Sequence, residues 1–319
     1  MNLKYRRTLV AFGATAAALA ATTLFGSPAQ AASAGLAAAG KSTVSFRALM
    51  ERTNKVSVTI SGRTVTLTDR VAIKAGKGCK QVTRYQVRCT TTQATKLVKV
   101  ALGDRNDYVR NYTGVFMLAG GSTGNDTLIG GPGGDQLQGG PGNDKLYGGN
   151  GKGELFGDSG ADRIVGGSGY DYVAAGTGND TVYGGAGNDQ LHGEAGNDTV
   201  YAGTGRDVVR GWGGNDKVWG SDGDDFLIGD AGNDAIAGEA GDDVLVGEVY
   251  KAVGGRGVSS GSPTAVDRLY AGANTSVGDI CLESSSKTTT SGCEWYTGVA
   301  SASAAQAPSV TRVSPTAID

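Results

Sequence analysis

Thirteen aspartates recur at intervals of nine or eighteen residues between positions 121 and 246, and their spacing is the strongest chemical signal in the chain. They are Asp126, Asp135, Asp144, Asp162, Asp171, Asp180, Asp189, Asp198, Asp207, Asp216, Asp225, Asp234 and Asp243. Hard divalent cations take roughly six to eight oxygen ligands, drawn from carboxylates and backbone carbonyls. A glycine-rich turn that ends in aspartate supplies both kinds of oxygen. The pattern therefore predicts a series of cation sites and not a single catalytic centre.

The aspartates belong to fourteen consecutive nonapeptides of the form G-G-x-G-x-D-x-U-x, where U is a large aliphatic residue. Position four is glycine and position eight is Leu, Ile or Val in every copy. Position six is aspartate in all copies except the fourth, which has Gly153. A glycine-rich, low-complexity linker would not keep one aliphatic residue at a fixed phase. The segment is therefore expected to fold.

A period of nine divides into a six-residue turn and a three-residue strand whose middle side chain points inward. Two repeats make one coil, so each turn stacks on the turn two repeats later, about 4.8 Å away. A cation between stacked turns can take one aspartate from each. Of twelve such pairings, Gly153 damages the two shared with Asp135 and Asp171, which leaves ten. The neighbouring Glu154 is expected on the outer face.

The repeats are strongly acidic. Residues 121–248 contain eighteen Asp and four Glu against six Lys or Arg, a net charge of −16. A metal-free solenoid is the alternative, but it would stack these carboxylates a few ångströms apart without compensation. Ten divalent ions would supply a charge close to what is needed. We therefore expect folding and cation binding to be one equilibrium.

The nonapeptide resembles the haemolysin-type (RTX) calcium-binding repeat. The resemblance implies an all-β fold, a right-handed parallel β-roll of about seven calcium-binding coils with Ca²⁺ in two columns. In this family the position-six aspartates and backbone carbonyls of the preceding turn are the ligands. All thirteen aspartates above are thereby predicted ligands, with about ten intact Ca²⁺ sites between stacked turns.

The N-terminus has the features of an export signal, predicted as residues 1–31. Lys4, Arg6 and Arg7 precede an apolar, alanine-rich stretch, and Ala29-Gln30-Ala31 fits a cleavage site after Ala31. No other apolar run approaches the roughly 20 residues of a transmembrane helix. We expect a protein secreted through the Sec route, with a flexible leader at 32–52.

Residues 53–120 are predicted to form a β-rich N-terminal cap that ends in a degenerate, calcium-free coil starting near Val98. Val100, Val109 and Leu118 are its expected inward residues. Residues 32–120 carry a net charge of +11. Either they bind an anionic partner or they balance the acidic repeats, and the scattered placement of the basic residues favours the second account.

The four cysteines suit an exported protein and allow three pairings. We favour the local pairs Cys79–Cys89 and Cys281–Cys293, one in each cap. Residues 247–298 are predicted to form an irregular C-terminal cap that contains an insertion and one further strand at 267–272. The Ala/Ser/Pro-rich residues 299–319 are expected to be a disordered tail.

Three functions compete. The first is a secreted, calcium-folded structural or interaction module, and the second is an adhesin or wall-polysaccharide binder that uses an aromatic stripe. That stripe consists of Tyr147, Tyr183, Tyr201 and Trp219. Aromatic residues also simply suit exposed strands, which is the plainer interpretation. The third is a hydrolase, but G-x-S-x-G at 257–261 lacks a strand–turn–helix context. We predict no enzyme and, because the repeats are acidic, no nucleic-acid partner.

Overall fold

The computed structural model describes residues 34–247, together with the backbone of six short strands between residues 250 and 298. The fold is an all-β parallel solenoid of about eight turns, which confirms the predicted fold class. In the described part of the chain, no helix has the length and apolarity to cross a lipid bilayer. The predicted signal peptide and C-terminal tail lie outside the described residues.

Seven strands precede the roll. They are β1 (Gly35–Ala39), β2 (Thr43–Arg47), β3 (Lys55–Ser61), β4 (Thr64–Thr68), β5 (Ile73–Ala75), β6 (Cys79–Thr83) and β7 (Gln86–Thr90). Antiparallel pairing joins β1 to β2, β3 to β4, β4 to β7 and β6 to β7. Strands β2 and β3 then pair in parallel with the first coil of the roll. The cap is therefore continuous with both sheets of the solenoid.

The expectation of a flexible leader at 32–52 is wrong for most of that segment. Strands β1 and β2 lie within it, and β2 pairs with the first coil, Val44 opposite Val98. The residues alternate, so that Ala37, Val44 and Phe46 form a fully buried face that covers the end of the core. The abundance of small residues obscured this period-two pattern, which is the signature of a strand.

The predicted disulfide Cys79–Cys89 is confirmed. It joins directly opposed residues of β6 and β7, with the two Cα atoms 4.0 Å apart. It therefore fastens the outermost strand of the cap to its neighbour. The second predicted pair, Cys281–Cys293, lies among residues whose side chains the structure does not describe.

The roll itself runs through seventeen strands. They are β8 (Leu97–Asp104), β9 (Tyr108–Asn111), β10 (Phe116–Thr123), β11 (Thr127–Ile129), β12 (Asp135–Pro141), β13 (Lys145–Asn150), β14 (Glu154–Ser159), β15 (Arg163–Ser168), β16 (Tyr172–Thr177), β17 (Thr181–Ala186), β18 (Gln190–Ala195), β19 (Thr199–Thr204), β20 (Val208–Gly213), β21 (Lys217–Asp222), β22 (Phe226–Ala231), β23 (Ala235–Ala240) and β24 (Val244–Val246). Strands β8 to β22 each pair in parallel with the strand two further on.

Successive coils are in register at eighteen residues, as the repeat predicts; Leu146 lies opposite Ile164, and Ile164 opposite Val182. We call the two sheets odd and even, after the repeats whose positions seven to nine they carry. Most strands are six residues long and not three, because each continues into the first three positions of the next repeat. The turn is correspondingly shorter than the sequence suggested.

The core of the repeat segment consists of the aliphatic side chains at position eight. The position-eight residue of every repeat, from Leu128 to Leu245, has no solvent exposure. Positions seven and nine flank it on the outer face, as the alternation of a strand requires. This confirms the predicted inward phase and leaves positions seven and nine free to vary.

The solenoid begins at β8, close to the predicted Val98. Val100 and Val109 point inward as expected, but Leu118 does not. Its neighbours Met117 and Ala119 are buried instead, and Ala119 lies between Val100 and Leu137 in the even sheet. One extra residue between this coil and the repeats shifts the phase, so extrapolating a strict nine-residue step fails here.

The winding also continues beyond the repeats. Strand β25 (Tyr250–Val253) and strand β26 (Arg256–Ser259) form an antiparallel hairpin, which is the insertion. Strands β27 (Arg268–Tyr270) and β29 (Thr289–Ser291) extend the odd sheet, while β28 (Ile280–Glu283) and β30 (Trp295–Gly298) extend the even sheet. The further strand expected at 267–272 is therefore confirmed, but the expected irregular cap is wrong, because these strands pair in parallel like the coils before them.

Candidate metal centre

The position-six aspartates form two columns, one along each edge of the roll. Each lies just before a strand, except Asp135, which begins β12, and all thirteen are at most 3% exposed. The odd column contains Asp126, Asp144, Asp162, Asp180, Asp198, Asp216 and Asp234, and the even column contains Asp135, Asp171, Asp189, Asp207, Asp225 and Asp243. Burying carboxylates is costly unless they are hydrogen-bonded and neutralised, so their partners decide what the site can do.

One oxygen of each carboxylate is used by the backbone. The N–H of Asp144 donates to Oδ1 of Asp162 at 2.6 Å, and the same bond links Asp180 to Asp198 at 2.8 Å. For the aspartate donors from Asp126 to Asp225 the acceptor lies eighteen residues later, one coil along. These bonds hold each carboxylate in a fixed orientation between two stacked turns.

The second oxygen of most of these carboxylates has no hydrogen-bond partner, although it is buried. This holds for Oδ2 of Asp126, Asp144, Asp162, Asp171, Asp180, Asp189, Asp198, Asp207, Asp216 and Asp225. An unsatisfied buried polar atom costs about 1–3 kcal/mol, and more when it is charged. A repeated series of buried carboxylate oxygens of this kind is the arrangement that a row of divalent-cation ligands requires. The residues therefore fit a divalent metal.

The position-one glycine makes room for this oxygen. A Cβ on Gly193 would lie 2.5 Å from Oδ2 of Asp198 and 2.9 Å from the carbonyl oxygen of Gly211. A carboxylate oxygen and a carbonyl oxygen from the next coil thus border the same space. Across the described residues, no three His, Cys, Asp or Glu side chains group into a metal cage. Backbone carbonyls must therefore complete the coordination shell, as the resemblance implies.

The local electrostatics favour a positive charge in each column. Burial raises the pKa of Asp162 to about 6 and that of Asp180 to about 7. Like charges one coil away, at Asp198 and Asp162, contribute to the raised pKa of Asp180. Without a cation these groups would take up protons near neutral pH. A divalent ion removes that penalty and restores the ionised form.

The start of the even column is different. Asp135 accepts from the N–H groups of Met117 and Gly131, both at 2.5 Å, and from the side-chain amide of Asn111. Both of its oxygens are therefore satisfied by the protein. Asp135 was predicted as a metal ligand, and its surroundings do not support that role.

Gly153 keeps the backbone ladder, since its N–H donates to Oδ1 of Asp171 at 2.6 Å, but it brings no carboxylate. Glu154 does not replace it, because its side chain lies at the surface beside Lys152, 3.9 Å away. The two pairings through repeat four therefore lack a second carboxylate, as the sequence predicts.

The aromatic stripe is stacked upon itself. The rings of Tyr183 and Tyr201 are 5.1 Å apart and nearly parallel, and those of Tyr201 and Trp219 are 4.7 Å apart. The guanidinium of Arg163 covers Tyr183 at 4.5 Å from the ring centroid. Neighbouring side chains thus cover both faces of Tyr183 and Tyr201 and one face of Trp219.

The repeat segment of the sequence matches a known family model. The RTX calcium-binding nonapeptide repeat, described in units of four copies, matches residues 120–155, 156–191, 183–218, 192–227 and 219–249. Residues 120–249 are therefore RTX calcium-binding repeats, and they fit a calcium-binding β-roll. No curated protein matches the chain.

The close approach at position one leads to a first prediction. In Gly193→Ala, the added methyl group occupies the space shared by Asp198 Oδ2 and the Gly211 carbonyl, so calcium binding should weaken by roughly tenfold at that site, about 1.4 kcal/mol. In the matched variant Gly213→Ala, the nearest atom is 3.9 Å away, and binding should be unchanged. Calcium titrations of both variants test this, and equal weakening would contradict it.

Proposed function

We propose that the protein is a secreted calcium-binding β-roll whose repeats fold when Ca²⁺ binds, and that it has a structural or interaction role outside the cell. The ten buried Oδ2 atoms named above, which have no hydrogen-bond partner, carry this proposal. About ten ions would neutralise the acidic repeats, one for each intact pairing of stacked aspartates. The columns are inside the protein, so the ions act on its stability and not on a substrate.

The coupling between folding and calcium binding would be useful to a secreted protein. Extracellular calcium sites respond at about 10⁻⁴–10⁻³ M, a concentration that is reached outside cells and not within them. A chain that stays unfolded before export and folds afterwards would exploit that difference. The N-terminal segment with Lys4, Arg6, Arg7 and the Ala29-Gln30-Ala31 sequence supports export.

The export step has a direct test. When the full chain is expressed in a bacterium, we expect it in the medium, with a mature N-terminus at Ala32. N-terminal sequencing of the secreted protein measures this. Recovery only from the cell interior, with residues 1–31 intact, would contradict it.

Two observations favour a role without catalysis. Ser259 of the G-x-S-x-G sequence is the last residue of the hairpin strand β26, which pairs antiparallel with β25. Burial lowers the pKa of His192 to about 4. Its Nδ1 accepts from the Trp212 indole at 3.2 Å, and Gln190 contacts its Nε2 at 2.9 Å. Both ring nitrogens of His192 therefore contact side chains of the even sheet, and His192 is poorly suited to be a general base.

An interaction partner would use surfaces other than the ring faces of Tyr183 and Tyr201, which stack on each other and are covered by Arg163 and Trp219. A cell-wall or extracellular polysaccharide remains the alternative partner, recognised through ring edges, hydroxyl groups and the basic side chains beside them. Retention on isolated cell envelope should be equal for the native protein and for a Tyr183/Tyr201/Trp219 alanine triple. Loss of retention in the triple would favour the polysaccharide instead.

Calcium dependence should appear as protection from proteolysis. At roughly 10⁻³ M calcium, residues 121–246 should resist a protease that cuts them within minutes in excess chelator. Magnesium at the same concentration is the control, because it keeps its water shell and fits poorly in a carbonyl-rich site. Equal resistance in calcium and in chelator would contradict the proposal.

A further inference from the structure

Three polar side chains outside the repeats lie together at the edge of the odd sheet, above the first repeat. Asn54 precedes β3, Asp107 precedes β9, and Asp69 follows β4. Because β3 pairs with both β4 and β9, these three positions meet at one edge of the sheet. This edge is the one along which the odd aspartate column runs.

The hydrogen bonds of the odd column continue into this group. The N–H of Asp107 donates to Oδ1 of Asp126 at 2.7 Å, and the N–H of Asn54 donates to Oδ1 of Asp107 at 2.6 Å. The N–H of Lys55 donates to Oδ1 of Asp69 at 2.7 Å. Asn54 and Asp107 thus occupy the places that two successive aspartates have in the repeats.

Each member of the group also keeps one buried oxygen without a hydrogen-bond partner. These atoms are Oδ1 of Asn54, Oδ2 of Asp69 and Oδ2 of Asp107. The three side chains are 1%, 3% and 3% exposed. The protein therefore satisfies only one of the two oxygens of each carboxylate, although an unsatisfied buried oxygen is energetically costly.

The two carboxylates interact electrostatically. Burial, together with the charges of Asp126 and Asp69, raises the pKa of Asp107 to about 7. Arg70 lowers the pKa of Asp69, but its own Nε donates to the carbonyl of Thr53 at 2.7 Å and its side chain is exposed. Burial dominates at Asp69 and leaves its pKa raised.

We propose that Asn54, Asp69 and Asp107 form a further calcium site in the N-terminal cap, outside the RTX repeats. Two carboxylate oxygens and one amide oxygen are hard ligands, and their combined charge matches a divalent cation. The site joins β3, β4 and β9, so it fixes the cap to the first coil of the roll. It goes beyond the proposed function, and the degenerate coil that the sequence analysis expected to be calcium-free becomes the coil that carries it.

Crystals of the secreted chain grown in millimolar calcium test the site directly. Data collected at a long wavelength should show an anomalous peak about 2.3–2.6 Å from the carboxylate oxygens of Asp69 and Asp107. Peaks along the repeats without a peak here would overturn this inference and leave the proposed function standing. Absence of peaks everywhere would count against both.

Ion counting on a variant gives a second test. In Asp69→Asn, the amide oxygen can still accept from the N–H of Lys55, so the hydrogen bond is kept while the charge is lost. Native mass spectrometry should show one calcium fewer per chain than in the unmodified protein. Glu51→Gln, which removes an exposed charge nearby, should keep the full number. An unchanged count in Asp69→Asn would overturn the site.

Discussion

Replacing both Asp180 and Asp198 by asparagine should raise the calcium concentration needed for half-folding by at least roughly tenfold, or about 1.4 kcal/mol. The two residues are adjacent in the odd column and take part in three of its pairings, with each other, with Asp162 and with Asp216. Asparagine still accepts the backbone N–H through Oδ1, but it offers no negative charge to a cation. Far-UV circular dichroism during a calcium titration measures the shift.

Without calcium, the same double substitution should favour folding instead of opposing it. Removing two buried charges relieves desolvation and like-charge repulsion, so the metal-free double variant should be no less folded than the metal-free parent protein. The control is the pair Asp222→Asn and Asp224→Asn, which removes the same charge from exposed positions and should shift the midpoint little. A double variant that loses stability equally with and without calcium would show a hydrogen-bonding role only.

Acid should partly replace calcium. The pKa of Asp162 is raised to about 6 and that of Asp180 to about 7, mainly by burial, whereas both return to their ordinary value near 3.8 on unfolding. A carboxylic acid whose pKa is higher in the folded state stabilises that state below the unfolded pKa, and this contribution is lost as pH rises through the folded pKa. The metal-free protein should therefore gain β structure as pH falls from about 7.5 to about 5.

With calcium present the dependence should run the other way. Calcium requires ionised carboxylates, so its apparent affinity should fall as pH decreases below about 6. Circular dichroism of dialysed, metal-free protein and of calcium-loaded protein, each recorded at both pH values, separates the two effects. A metal-free protein with the same spectrum at both pH values would contradict the assigned burial of the aspartate columns.

The repeat segment could be predicted closely because one rule governs it. A nine-residue period fixes the inward residue, the outward residues and the aspartate, and the structure places Leu128, Asp126 and their equivalents where that rule requires. The disulfide Cys79–Cys89 was also predictable, since a local pair needs only a hairpin between its members. A pattern that occurs in fourteen consecutive repeats predicts the role of each position with little ambiguity.

Other features of the fold depend on contacts between residues that the nine-residue period does not predict. Asp135 sits in the same phase as its neighbours, yet Asn111 and two backbone N–H groups from elsewhere in the fold satisfy it. Asn54 and Asp69 carry no repeat signal, and only β-sheet pairing brings them beside Asp107. The weak signal was the degenerate sequence at 103–109, in which Asp107 holds the aspartate position.

The central claim is that unpaired aspartate oxygens between successive coils bind calcium and that, at neutral pH, the roll folds only when they do. Equilibrium dialysis against a series of calcium concentrations, with bound calcium and far-UV circular dichroism measured on the same samples, tests it most directly. We predict uptake of about ten ions in the repeats, with the β signal rising at the same midpoint. A full β spectrum at neutral pH in samples that contain no bound calcium would contradict the claim.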